Sequence, residues 1–168
     1  LNGIYFVPLI NIATAADLPK AVAQALGLSL DGKEPPTTQL LNYLREKELL
    51  LILDNFEHIL EGAAVFVQEI LTTAPEVKLL ITSRIRLYLS AEWLLEIVVL
   101  TCPTRPLTVG DLDHLADQYA AVFLFVSAAQ RVQADFDLQT IKAATAVISI
   151  CQLVEGNPLA IELAAATL

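Results

Sequence analysis

Five consecutive apolar residues, Leu49-Leu50-Leu51-Ile52-Leu53, end on a carboxylate, Asp54, and lead into Asn55-Phe56-Glu57-His58. A run with no polar alternation reads as a strand apolar on both faces, the pattern of a parallel sheet sandwiched between helix layers. Ligands of such sheets bind beyond the carboxyl ends of the strands, which is where Asp54 falls. An acid there can hold a magnesium ion, directly or through water, against a nucleotide phosphate. It can equally start the next helix as an N-cap. On these residues alone both readings stand open.

The surrounding pattern predicts alternating strands and helices. Ile4–Leu9 reads as a buried strand. A helix capped by Thr14 or Asp17 carries Ala21, Val22, Ala25 and Leu26 and stops at Gly27. After a loop with two prolines, Gln39–Glu46 forms a short helix with Leu40, Leu41 and Leu44 on one face. A helix from His58 to about Thr72 turns Ile59, Ala63, Phe66, Val67 and Ile70 inward. Val77–Ile81 is the next strand, and Trp93–Leu100 a last candidate strand. This order specifies an α/β fold with right-handed crossovers. Beyond Thr101–Pro106 the pattern becomes helical, over about Leu112–Val132, Leu138–Val154 and from Pro158 onward. In the first of these Leu115, Tyr119, Val122, Phe123 and Val126 are expected inward. Pro158 suits a first helical turn, where its missing N–H leaves no bond unmade. The expected organisation is an α/β domain over 1–102 and an all-helical domain over 103–168.

Composition narrows the function classes. Hydrophobic residues make up 55% of the 168, charged residues only 17%, and mean hydropathy is +0.60. The apolar runs at Ala120–Val126 and Ala143–Ile150 are much shorter than the roughly 20 residues of a spanning helix. The excess apolar surface is therefore expected to pack against something outside this segment, and a chain opening on Leu1 with no methionine reads as a piece of a longer protein. Net charge is −9, so the basic footprint of a nucleic-acid binder is missing and no direct nucleic-acid contact is expected. Cys102 and Cys151 lie far apart in sequence and form no CxxC pair, which leaves two buried thiols in a reducing cytoplasm as the expectation.

Polar clusters follow three of the apolar segments: Asp54-Asn55-Phe56-Glu57-His58, Thr82-Ser83-Arg84 and Gly156-Asn157-Pro158. In a parallel sheet the first two emerge on one edge. A carboxylate and a guanidinium together there make a metal-and-phosphate station, or an ordinary surface ion pair between Asp54 and Arg84 contributing about 0–1 kcal/mol.

These clusters carry a resemblance. Leu50–His58 resembles the Walker B segment of signal-transduction P-loop ATPases of the STAND or NB-ARC class. Leu79-Leu80-Ile81-Thr82-Ser83-Arg84 resembles their sensor 1 strand, and Gly156–Ala164 their GLPLA lid segment. Phe6-Val7-Pro8-Leu9 and Ala121–Val126 are similar to the strand after the P-loop helix and to the first lid helix. Each motif alone is weak, but the ordered set spans nearly the whole chain. The nearest group is bacterial ATPases joined to transcriptional-regulator or repeat domains. The resemblance implies a P-loop NTPase core with ATP or ADP and magnesium as cofactors, followed by a small helical lid. It implies that Asp54 holds magnesium through water, that Arg84 senses the terminal phosphate and that Pro158 touches the adenine. Glu57 is a candidate water-orienting base, or a helix-start carboxylate favoured by the dipole. His58 is expected to be a structural hydrogen bonder.

Departures from the family pattern temper the activity. Asn55 stands where many relatives carry a second acid; an amide orients water but cannot accept its proton, so slow, switch-like hydrolysis is expected. Asn157 replaces the usual lid leucine. No G-x-x-x-x-G-K-[ST] occurs, so the phosphate cradle is missing, and the chain alone is expected to bind ATP weakly or not at all. In the family the absent first strand lies between the sensor 1 strand and the last one. The edges of Ile81 and Val98 are then expected to pair directly or to recruit a strand from another copy, with self-association through exposed apolar surface. The leading expectation is a fragment of a nucleotide-dependent switch that regulates transcription. A degenerate assembly module of the same fold is the alternative. An unrelated α/β enzyme using Asp54, Glu57 and His58 is a third reading.

Overall fold

The computed structural model describes residues 2–168, which divide into two compact units, one up to Leu94 and the other Leu95–Leu168. The first is α/β. Strand β1 (Gly3–Pro8) leads through a 3-10 turn (Ala15–Asp17) into α1 (Leu18–Ala25), and α2 (Pro36–Leu44) precedes β2 (Leu49–Asp54). A second 3-10 turn (Glu57–Ile59) opens α3 (Leu60–Thr73), followed by β3 (Val77–Ile81). The three strands form one parallel sheet in the order β1-β2-β3, with Phe6 beside Ile52, Ile52 beside Leu80, and Pro8 beside Asp54.

Sequential parallel strands joined by right-handed crossovers send every connecting helix to the same side of the sheet. That is the arrangement of the core. Val7, Leu49, Leu51, Leu53 and Val77 are buried with Leu18 and Val22 of α1, Leu40 and Leu44 of α2, and Ala63, Phe66, Val67 and Ile70 of α3. The other face, expected from the unbroken apolar run to be covered as well, is not. Ile4, Phe6 and Leu80 are exposed on it, and Leu50 and Ile52 only partly covered. The side chains of β2 thus alternate between buried and half-buried, although its sequence does not alternate.

Local chemistry sets the element ends. Thr14 and Asp17 bond each other, the hydroxyl donating to Oδ2 at 2.8 Å, rather than capping α1 with a side chain. Helix α2 starts at Pro36, three residues before the expected Gln39, because proline is favoured in a first turn. The helix expected to run unbroken from His58 is instead interrupted. Glu61 and Gly62 leave helical geometry, Gly62 with φ +86, a conformation glycine adopts without the penalty of a Cβ.

The candidate strand at Trp93–Leu100 does not form. No helix or strand occurs from 82 to 108, and Trp93 and Ile97 are 97% and 90% exposed. A strand needs a neighbour for its backbone N–H and C=O groups, and only β2 pairs with β3 among the described residues. The direct pairing expected between the edges near Ile81 and Val98 is therefore absent.

The second unit is helical. A 3-10 stretch (Val109–His114) leads into α4 (Leu115–Gln118), then α5 (Ala120–Val132), α6 (Ile141–Leu153) and α7 (Pro158–Ala165). The single helix expected over Leu112–Val132 is broken at Tyr119, whose backbone is extended. Thr101 meets this break, its carbonyl accepting from the Ala121 N–H at 3.1 Å. Leu115, Val122 and Phe125 are buried with Ala144, Val147, Ile148, Cys151 and Ile161. Phe123, expected inward, is 58% exposed. Thr140 and Asn157 cap α6 and α7 by accepting from Ala143 N and Ala160 N at 3.1 Å each.

Candidate functional site

The carboxyl ends of β2 and β3 are joined by a short hydrogen-bond chain. Register places Leu53 beside Ile81, so the residues that follow, Asp54 and Thr82, emerge together. The Thr82 hydroxyl donates to Asp54 Oδ1 at 2.6 Å and accepts from the Asn55 backbone N–H at 3.0 Å. Thr82 N–H donates to Leu53 O, and Phe56 N–H to Thr82 O, both at 3.0 Å. The strand ends are thereby tied beyond the last regular ladder pair. Leu9 N–H donates to Asp54 O at 3.0 Å, which brings in the end of β1.

Asp54 caps no helix: Phe56 is the N-cap position of the 3-10 turn after β2, and no side-chain cap is made there. The carboxylate is partly exposed, and its Oδ2 takes no hydrogen bond among the described residues. Asn55 sits at φ +67, a left-handed conformation that asparagine tolerates better than most residues. Its Nδ2 lies 3.3 Å from His58 Nδ1, and His58 Nε2 lies 3.0 Å from Ile12 O. A carbonyl can only accept, so Nε2 carries the proton and Nδ1 accepts from Asn55. His58 therefore pins the loop after β1 to the loop after β2, the structural part expected of it.

Arg84 pairs with Glu57, not with Asp54. Its Nε lies 3.4 Å from Glu57 Oε1, with the Arg84 side chain 88% exposed and that of Glu57 18% exposed. The surface ion pair weighed between Asp54 and Arg84 is not formed: Asp54 bonds the Thr82 hydroxyl, and Glu57, the first residue of the 3-10 turn, meets Arg84 instead. An ion pair this exposed on one side contributes little to stability and leaves the guanidinium accessible. Pro158 lies in the second unit, at the first position of α7 behind Asn157.

Sequence reasoning singled out Asp54, Asn55, Glu57 and Arg84 individually, and the α/β unit brings all four to one edge. It missed how central Thr82 is: a β-branched hydroxyl residue just past a strand end is the signal that could have marked it. The residues suit one part of a magnesium–phosphate site. A single carboxylate with an open oxygen can hold a hydrated magnesium ion, which keeps several waters and takes few protein ligands. Among the described residues no cluster of three or more His, Cys, Asp or Glu side chains encloses a metal, so an all-protein cage does not fit. A backbone cradle for phosphates is not encoded here either, since no G-x-x-x-x-G-K-[ST] occurs.

No protein-family model matches the sequence. Curated relatives do. A Mycobacterium tuberculosis protein provisionally named an HTH-type transcriptional regulator is 33% identical over 165 residues, covering 98% of this chain and 17% of the relative. A Mycobacterium bovis protein of the same designation matches to the same extent. An uncharacterized M. tuberculosis protein is 32% identical over 159 residues, covering 93% of this chain and 36% of the relative. The chain thus spans about a sixth to a third of the length of these relatives. Among the described residues no helix is long and apolar enough to cross a membrane.

Proposed function

We propose that this chain is the magnesium- and terminal-phosphate-facing part of a nucleotide-controlled switch in a larger transcriptional regulator. The observation that carries the reading is the Asp54–Thr82 bond at the ends of two adjacent parallel strands, with Arg84 two residues further on. In this reading Asp54 holds magnesium through water, and Thr82 orients its carboxylate. Arg84 leaves Glu57 to meet the terminal phosphate. Magnesium, when bound, would neutralise charge on the phosphates of the nucleotide. Asn55 is held by His58 and can orient water without taking its proton, which accords with a slow ATPase and a long-lived bound state. Glu57 is then the nearer candidate base, released as Arg84 moves.

The names of the relatives support the regulatory context. With a net charge of −9, this segment would repel a phosphate backbone, so contact with DNA is assigned to other parts of the parent protein. A cytoplasmic setting follows from the same role.

Titration calorimetry on the parent protein tests the proposal. Mg-ATP is expected to bind the parent, with Asp54→Ala weakening binding at least about tenfold in magnesium but little in EDTA, and Arg84→Ala favouring ADP over ATP. The isolated chain is expected to show no micromolar binding. A parent protein that ignores Mg-ATP, or an isolated chain that binds it tightly, would overturn the assignment and favour an assembly module of the same fold.

A further inference from the structure

Cys102 and Cys151, distant in sequence, are neighbours in the helical unit. Cys151 is buried on α6, with its thiol donating to Ala121 O at 3.6 Å. The Cys102 thiol donates to Ile148 O at 3.8 Å. Ile148 and Cys151 are three residues apart and share a face of α6, and a helical carbonyl points toward the following turn. Cys102 therefore rests over the turn of α6 that carries Cys151. Cys151 is buried, whereas Cys102 is partly exposed, which corrects the expectation of two buried thiols.

The backbone around Cys102 is a strap held at several points. Leu100 N–H donates to Gly156 O, and Thr101 O accepts from Ala121 N–H. Gln152 Nε2 donates to Pro103 O at 2.6 Å. At Gly156, φ is +69, and an added Cβ would collide with the carbonyl oxygen of Leu100; the strap and the turn before α7 are thus in direct contact. Every one of these ties is a hydrogen bond that can open. A covalent link between Cys102 and Cys151 would close the strap permanently.

We propose that Cys102 and Cys151 form a dithiol site that takes a low-molecular-weight disulfide such as oxidised glutathione and closes to an intramolecular disulfide, fixing the Leu100–Pro103 strap to α6. The Cys102 thiolate attacks one sulfur of glutathione disulfide, whose S–S bond breaks and whose other half leaves with the electron pair. Cys151, as thiolate, then attacks the Cys102 sulfur and expels the second glutathione. Two protein thiols are oxidised, one disulfide is reduced to two thiols, and the two protons lost by the protein end on those thiols. The order follows from access, since only Cys102 can be reached from solvent. Burial raises the Cys102 thiol above its ordinary value and pushes Cys151 up to about 12. Basic thiols exchange slowly and are poor leaving groups, so the bond forms slowly and, once made, resists reduction. This inference does not depend on the nucleotide reading.

The test equilibrates the full chain in glutathione redox buffers, quenches with an alkylating agent and maps peptides by mass. A Cys102–Cys151 linked peptide is expected, together with a melting midpoint raised by about 5–10 °C for a closed loop of roughly 50 residues. Amide exchange at Leu100 and Ala121 is expected to slow at least about tenfold. In Cys151→Ala, Cys102 should stop at the mixed disulfide with glutathione; in Cys102→Ser, Cys151 should stay unmodified. Glutathionylated Cys102 without the intramolecular link in the unmutated chain would overturn the proposal. So would an intermolecular dimer, or a link that leaves Leu100 and Ala121 exchange unchanged.

Discussion

Thr82 is the residue on which the candidate site is hung. Its hydroxyl both donates to Asp54 and accepts from the Asn55 N–H, and Asn55 is the residue held at positive φ. Thr82→Val keeps the β-branched shape and removes both bonds. Denaturant unfolding is expected to show a loss of about 1–2 kcal/mol, the scale for leaving one N–H and one carboxylate oxygen without their partner. Thr82→Ser should recover most of it. Equal stability for Thr82→Val and the unmutated chain would mean that water replaces the hydroxyl at no cost. None of this was legible from Thr82 alone. Asp54 and Arg84 stood out because charges that follow apolar runs are conspicuous, whereas a threonine beside a strand end has no such contrast. The partner choice of Arg84 was also hidden. Glu57 and Asp54 are equally plausible anions in sequence, and only the turn after β2 decides which one is near.

At the scale of elements, the entry into the helical unit rests on a charged cap. Thr108 and Asp111 form a reciprocal capping box, with the Thr108 N–H and hydroxyl each donating to Asp111 Oδ2 at 2.7 Å. Arg105 Nη1 adds a bond to the same oxygen at 3.0 Å. The Arg105 guanidinium first, then the Thr108 hydroxyl and N–H, hold the Asp111 carboxyl well below its ordinary value of 3.8. A carboxylate depressed on folding contributes stability above its unfolded pKa and loses it as pH falls toward the folded one. Asp111→Asn is therefore expected to lower the urea midpoint of the helical unit by a constant amount above about pH 5. The gap should shrink below about pH 4, where the carboxyl protonates in the unfolded chain while it stays ionised in the folded one. A gap independent of pH would assign the cap to shape and not to charge. The broken helix at Tyr119 and the kink at Gly62 belong to this scale too. Their hydrophobic spacing is helical throughout, so periodicity predicts continuity, while the Thr101–Ala121 hydrogen bond and the Gly62 backbone interrupt it.

For the whole chain, the open face of the sheet is the dominant fact. Ile4 and Phe6 of β1 and Leu80 of β3 are exposed on it, and Leu94, Leu95, Ile97, Val98 and Val99 are further exposed apolar residues. Surface of this kind favours association. Sedimentation velocity on the isolated chain is expected to show concentration-dependent self-association, which the double change Ile4→Glu with Phe6→Glu should weaken at least about tenfold. A chain that stays monomeric at every concentration would refute this. The sequence by itself determined the α/β-then-helical order, the three strands that form, the inward residues of α3 and the polar clusters at the strand ends. Those features follow from apolar spacing and turn chemistry, which act over a few residues. Tertiary structure decided that one sheet face stays bare, because right-handed crossovers between sequential strands put all three helices on the other. It decided that Trp93–Leu100 stays out of the sheet, because a strand exists only where a neighbour takes its hydrogen bonds. It brought Cys102 to Cys151 and Arg84 to Glu57. For the opening run, Leu49–Asp54, the sequence marked a core strand ending on an acid; the fold made Asp54 the partner of Thr82.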